Sequence, residues 1–204
     1  MKPAGIILAG GLSRRMGGND KAQAILHGRS LLGHVVASLT PQVSALAINS
    51  NSAPDGFADF RLPVIGDCMP GRLGPLAGIL TGMLWAQQHV PHATHLLSAP
   101  CDIPGLPRDI GIRLKNARIA ANADVAIACD DDGPQPTIGL WPLSLAEQLA
   151  ADLMLGVRGI QAWLAPLQVT QVHSHGLHNI NTPEDLRAAA NPSIKDVHTR
   201  CAVS

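Results

Sequence analysis

Three groups of residues in this chain could do chemistry together. The first is a glycine loop carrying cations, Gly10-Gly11-Leu12-Ser13-Arg14-Arg15-Met16-Gly17-Gly18-Asn19-Asp20-Lys21. Glycine permits positive φ and lets backbone N–H groups approach a ligand with no side chain in the way. Ser13, Arg14 and Arg15 lie between the two glycine pairs, and Lys21 closes the loop. Such a cradle suits a polyphosphate, whose charge needs both N–H donors and positive side chains. It is not a P-loop, because Lys21 follows Asp20 and precedes Ala22. Nor is it the dinucleotide fingerprint, which needs Gly-x-Gly-x-x-Gly. A strand-to-helix turn with surface cations would also show two glycine pairs. The added Ser, Arg, Met and Lys at these spacings favour ligand binding.

The second group is a set of polar residues that follow apolar runs: Asn49, Asp67, and Asn179 with Asn181. The third is Asp102, held in Pro100-Cys101-Asp102-Ile103-Pro104 directly after an apolar run. Asp and Pro are turn residues in any case. In open α/β sheets, however, ligands bind at the carboxyl ends of the strands, where Asp102 is expected to stand. A nucleoside triphosphate gives each residue a task. The backbone of Leu8, Ala9, Gly10 and Gly11 would line the base, while Arg15 and Lys21 would offset phosphate charge. Asp102 is the best candidate to hold Mg²⁺, a hard ion that prefers carboxylate and phosphate oxygens. Phosphoryl-type transfer needs mainly positioning and charge neutralisation. No side-chain nucleophile is then required, in keeping with the lack of a Ser-His-Asp or Cys-His signature.

The elements that must position these groups alternate between strand and helix, the pattern of an α/β fold with a mostly parallel sheet. Ile6 to Ala9 reads as a strand buried on both faces. Ser30 is expected to cap a helix from Leu31 to about Leu39, followed by strands over Ser44 to Asn49 and Leu62 to Ile65. Pro75 suits the first turn of a helix running from Leu76 to about Gln88. In that helix Gly78 and Gly82 share a face, and close helix–sheet packing is their expected use. Thr94 to Ala99 is a fourth strand, and Asp124 to Cys129 and Pro136 to Trp141 flank an Asp-Gly turn. Leu143 to about Leu155 has helical spacing, Gly159 to Leu164 adds a turn, and Leu167 to Val172 is the last strand. Thr182 caps a final helix with Pro183 at its first position.

Asp130, Asp131 and Asp132 read as a solvated hairpin tip rather than a metal site. The histidine groups 89/92/95 and 173/175/178 show no His-Glu-x-x-His form and read as surface or loop residues.

Composition narrows the classes. Apolar residues make up 46% of 204 and charged ones 15%, which indicates one globular domain, expected over residues 1–190 with a mobile tail at 191–204. A net charge of zero, two Phe and no Tyr argue against a nucleic-acid binder. Cys68, Cys101, Cys129 and Cys201 form no Cys-x-x-Cys pair, so a reducing compartment is the natural reading. Met1-Lys2-Pro3 leaves no room for a signal peptide, and no apolar run nears the roughly 20 residues of a membrane helix. A cytoplasmic protein is expected.

The run Leu8-Ala9-Gly10-Gly11-x-Ser13-x-Arg15-Met16-Gly17-x-x-Asp20-Lys21 resembles the signature of nucleotidyltransferases that pass a nucleoside monophosphate to a phosphorylated acceptor. Within them the chain is most similar to the molybdenum cofactor guanylyltransferases. Asp67 with Gly74-Pro75-Leu76-Ala77-Gly78 resembles their second element, Pro100-Cys101-Asp102-x-Pro104 the metal-binding one, Gln135-Pro136-Thr137 a fourth and Asn179-Ile180-Asn181-Thr182-Pro183-Glu184 a fifth. Gln135 departs from the family, which often has His there. The first motif is shared by many sugar and cofactor nucleotidyltransferases, whereas the ordered set of five, from Gly5 to Leu186, is far more specific.

The resemblance implies a Rossmann-like three-layer fold and a Mg²⁺-dependent transfer of GMP from GTP to molybdenum-molybdopterin, releasing pyrophosphate. It assigns guanine nucleotide to Leu8, Ala9, Gly10, Gly11, Ser13, Lys21, Asn49, Asp67, Gly74, Pro75 and Asp102. It assigns Mg²⁺ to Asp102, catalytic roles to Arg15, Lys21 and Asp102, and the pterin to Asn179 and Asn181. Molybdopterin-delivery proteins and molybdoenzyme chaperones are the partners it implies. Gly10-Gly11, where cytidylyl enzymes tend to Ala-Gly, favours the guanylyl branch. The rival readings are a cytidylyltransferase of the same cofactor, a sugar-phosphate nucleotidyltransferase, and a guanine-nucleotide-binding module without turnover.

Overall fold

The first apolar run becomes the hub of a seven-stranded sheet. In this computed structural model, which describes residues 1–10, 21–71 and 73–191, strand β1 (Ala4–Leu8) pairs on one side with β4 (Leu46–Asn49) and on the other with β6 (His95–Pro100), both parallel. Beyond β4 lies the short β5 (Val64–Ile65). Beyond β6 come β8 (Gly133–Pro142), β7 (Val125–Asp130) and β9 (Val169–His173), giving the order β5-β4-β1-β6-β8-β7-β9. Among the described strands of this sheet, only β8 runs antiparallel to its neighbours. The expectations for Gly11, Ser13 and Arg15, and for the tail after Asn191, lie outside the described residues.

The unbroken apolar sequence of the central strands has a simple cause. Consecutive residues of a strand face opposite sides of its sheet. Ile6, Ala47, Leu96 and Ile127 belong to one core layer, beneath α2 (Pro75–His89), α4 (Ala146–Met154) and α5 (Ile160–Leu164). Their successors Ile7, Ile48, Leu97 and Ala128 belong to the other, beneath α1 (Leu31–Leu39) and α3 (Ile110–Ala120). Burying each such large aliphatic side chain is worth about 1.5–3 kcal/mol. Trp141 is fully buried in the first layer and donates its indole N–H to Ser98 Oγ at 2.8 Å.

The expected caps are present. Ser30 Oγ accepts from Gly33 N at the start of α1, and Thr182 forms a capping box with Asp185 at the start of α6 (Pro183–Ala190). Gly82 packs where expected, because a Cβ there would lie 2.9 Å from Leu96 and 3.0 Å from Ile6.

Among the described α-helices and strand pairs, two have no counterpart in the sequence reading. One is helix α3, whose exposed Ile112 and Ile119 smear its apolar stripe around the helix. The other is a hairpin of β2 (Ile25–Leu26) and β3 (Arg29–Ser30), turned by His27 and Gly28, both at positive φ. Among the described residues, no helix is long and apolar enough to cross a membrane.

Candidate functional site

The polar groups gather where β4, β1 and β6 end side by side. Leu8 stands level with Asn49 and with Pro100. The Ala9 N–H then donates to the Asn49 carbonyl at 2.8 Å, and the Cys101 N–H donates to the Leu8 carbonyl at 3.1 Å. Three chain segments are thus stitched together one residue past the sheet, at the carboxyl edge expected of an open α/β sheet.

On the β4 side, Asn49 is 4% exposed, and its Nδ2 donates to Asp67 Oδ1 at 2.9 Å and to the Ile65 carbonyl at 3.2 Å. Asn51 grips the same acid in both directions. Its Nδ2 donates to Asp67 Oδ2 at 2.8 Å, and its Oδ1 accepts from the Asp67 N–H, also at 2.8 Å. Each carboxylate oxygen therefore receives one amide donor and keeps capacity for another, so Asp67 can accept a pair of N–H groups from a planar ligand edge. Thr81 steadies the corner from below, because its hydroxyl accepts from the Cys68 N–H at 2.9 Å while donating to the Ala77 carbonyl.

Helix α2 begins over this cluster. Gly74, with φ of 69°, precedes Pro75 at the first helical position. A Cβ at Gly78 would fall 2.3 Å from Asn49 Oδ1 and 2.7 Å from Leu8 Cδ2. The absent side chain at Gly78 is therefore what lets the buried amide and the helix share this space.

On the β6 side, Lys21 opens the chain that follows the glycine loop. Its ammonium lies 2.5 Å from Asp102 Oδ2 and also donates to Asn181 Oδ1. The side chains of Lys21 and Asp102 are 15% and 18% exposed. Among the described residues, Asp102 Oδ1 is buried with no hydrogen-bond partner. A buried carboxylate oxygen without a donor is costly in a finished hydrogen-bond network. It is suited to a hard cation. The Asp102 carbonyl accepts from the Ile180 N–H at 2.9 Å, which ties the 179–181 segment to this corner. Asp185 fixes that segment in turn, accepting from the N–H groups of Asn181 and Thr182 at 2.8 and 2.9 Å. The Asn181 N–H, followed by the Thr182 hydrogen bonds and the Lys21 charge, holds the Asp185 carboxyl below its usual range.

Of the residues singled out from sequence, Leu8, Ala9, Gly10, Asn49 and Asp67 meet on the β4 side, with Gly74 and Pro75 at the adjoining helix start. Lys21, Asp102 and Asn181 meet on the β6 side, and Asn179 is exposed beside them. Gln135 stands apart, donating to Asp130 Oδ2 at 3.2 Å. Asp130 is not part of a solvated tip, since it is 8% exposed and its Oδ1 accepts from the Asp132 N–H. Asn51, Thr81 and Asp185 were not anticipated as supports of the site. The one signal for Asn51 was its place in Asn49-Ser50-Asn51, directly after a strand.

Comparison with known proteins bears on the family and the fold. A family model described as the MobA-like NTP transferase domain matches residues 5–173. A molybdenum cofactor guanylyltransferase of Bradyrhizobium sp. (strain ORS 278) is 42% identical over 191 residues, covering 91% of this chain and 90% of its own. One from Rhizobium meliloti (strain 1021) is 41% identical over 198 residues, covering 92% and 90%. The molybdopterin-guanine dinucleotide biosynthesis protein A of Archaeoglobus fulgidus superposes with a TM-score of 0.73 at 24% identity, covering 97% of this chain and 99% of that one, and so shares the fold. A Mycobacterium tuberculosis protein crystallised with manganese shares it at a TM-score of 0.65 and 15% identity, covering 94% of this chain and 100% of that one. On the strength of the family match and these relatives, the chain belongs to the MobA-like NTP transferase family.

Proposed function

We propose that this chain transfers GMP from GTP to the terminal phosphate of molybdenum-molybdopterin, giving molybdopterin guanine dinucleotide and pyrophosphate. The observation that carries the reading is the meeting of Lys21, Asp102 and Asn181 in one corner of the sheet edge, beside the Asn49–Asp67 cluster. The names of its relatives at about 40% identity support the choice of substrates.

In this reading Asp67 accepts N–H groups from the guanine edge, with Asn49 and Asn51 holding the carboxylate in place. The backbone of Leu8 to Gly11 lines the base, Gly74 and Pro75 bound the nucleotide, and Ser13, Arg15 and Lys21 take the phosphates. Asn179 and Asn181 face the pterin. A terminal phosphate oxygen of the pterin forms a bond to the α-phosphorus of GTP. The bond from that phosphorus to the bridging oxygen breaks, and pyrophosphate departs with the electron pair. Lys21 offsets the charge that grows on the departing oxygens. Asp102, through the Oδ1 that has no partner among the described residues, would hold Mg²⁺, and a bound ion neutralises phosphate charge during transfer. Residues 1–190 act as one catalytic domain, in the cytoplasm, where delivery proteins would supply the pterin.

The test is pyrophosphate release with Mg²⁺ and molybdenum-loaded pterin, comparing GTP with CTP. Release from GTP is expected. Release from CTP in place of GTP would overturn the guanylyl assignment, and tight GTP binding with no release would make the protein a binding module.

A further inference from the structure

Away from this site, the β7–β8 turn and the end of β9 bring three ligand-bearing side chains together. His173 Nε2 lies 3.0 Å from one carboxylate oxygen of Asp131, and His175 Nδ1 lies 3.4 Å from the other. One ligand atom from each of the three falls within 4.8 Å of the other two. The backbone explains the convergence. Cys129 pairs with His173 across β7 and β9, and the Ser174 N–H donates to the Cys129 carbonyl at 2.8 Å, which carries the ladder one step further. β9 ends at His173 and the chain turns at His175, and both imidazoles lie against the Asp131 carboxylate. Arg113 braces the segment from α3, donating to the His173 carbonyl and to Ser174 Oγ. The turn is braced as well, by Asp130 accepting from the Asp132 N–H and from Gln135.

We propose that Asp131, His173 and His175 form a second metal site, which takes a divalent transition ion of the zinc class. Tetrahedral ligands about 2.0–2.1 Å from an ion lie roughly 3.3–3.4 Å from one another, close to the two separations seen. Two imidazoles and one carboxylate suit Zn²⁺, Ni²⁺ or Cu²⁺, whereas Mg²⁺ prefers oxygen ligands. The three side chains are 46% to 82% exposed, which gives an ion an entry path and leaves water for the fourth position.

The experiment is a Zn²⁺ titration of the chelator-stripped full chain against a chromophoric competitor in excess Mg²⁺. It would compare the wild type with His173→Ala/His175→Ala, Asp131→Asn and Asp102→Asn, each checked for fold by circular dichroism. The double histidine variant should lose one equivalent of bound zinc or at least about tenfold in affinity. Asp131→Asn should weaken the same site, and Asp102→Asn should retain it. Co²⁺ should give a nitrogen/oxygen tetrahedral spectrum in the wild type that the double variant lacks. Zinc binding unchanged in the double variant, or no binding by the wild type, would overturn the proposal.

Discussion

Lys21 and Asp102 form an ion pair of 2.5 Å across 81 positions of sequence, and it joins the end of the glycine loop to the corner after β6. Asn181 accepts from the same ammonium, so one cation touches both the proposed nucleotide side and the proposed acceptor side. With only 15% and 18% of the two side chains exposed, solvent screens the pair less than it would a surface pair.

Replacement of Asp102 tests this corner most directly. Asp102→Ala keeps the main-chain carbonyl that receives the Ile180 N–H, so the local fold should survive. It removes Oδ1, which has no hydrogen-bond partner among the described residues, together with a partner of Lys21. Pyrophosphate release should fall by at least about 100-fold in kcat/KM, in line with the loss of a group that stabilises transition-state charge. A variant that is folded and fully active would place the metal elsewhere.

Asn51 should matter without touching the reacting atoms. Its amide holds both the Asp67 backbone and one carboxylate oxygen. Hydrogen bonds to charged groups contribute about 1.5–3 kcal/mol, so Asn51→Ala should raise the KM for GTP by roughly tenfold or more. The turnover rate at saturation should change little, since Lys21 and Asp102 lie on the other side of β1. Steady-state kinetics that showed a fall in kcat with KM unchanged would contradict a positioning role.

The sheet and the site edge were legible in the chain because both rest on local signals. Apolar runs such as Ile6 to Ala9 mark strands buried on two faces, and polar residues directly after them mark the ligand edge. The caps at Ser30 and Thr182 were legible for the same reason. The insertion of β8 antiparallel between β6 and β7 was not, because strand order follows from long-range pairing. The Asp131–His173–His175 cluster was hidden likewise, since its carboxylate comes from 42 positions away rather than from a local motif. Helix α3 was missed because Ile112 and Ile119 face solvent and blur its period.

A titration effect should come from His95, at the amino end of β6 and so at the opposite end of that strand from the site edge. Burial, then the positive charges of Arg118 and Lys115, holds its pKa below the ordinary 6.5. Between that lowered value and 6.5 the unfolded chain binds more protons than the folded one, so stability rises with pH there and is lost on acidification below 6.5. His95→Gln should flatten this slope in urea denaturation curves taken at a series of pH values. Equal slopes in wild type and variant would show that His95 is not the group responsible.

Gly78 sets the hardest constraint on the β4 side. A methyl group there would meet the buried Asn49 amide at 2.3 Å and Leu8 at 2.7 Å, and neither neighbour is free to withdraw. Asn49 is bound to Asp67 and to the Ile65 carbonyl, and Leu8 belongs to the central strand. Overpacking of this kind costs about 1–3 kcal/mol, so Gly78→Ala should lower the unfolding midpoint. It should also weaken GTP binding, because the amide that must shift is the one that holds Asp67. Gly82→Ala separates the two effects, since its added carbon would meet Ile6 and Leu96 in the core. That variant should lose stability while GTP affinity, measured calorimetrically below its melting temperature, stays near wild type. Equal losses of affinity in both variants would mean that Gly78 acts through general stability and not through Asn49.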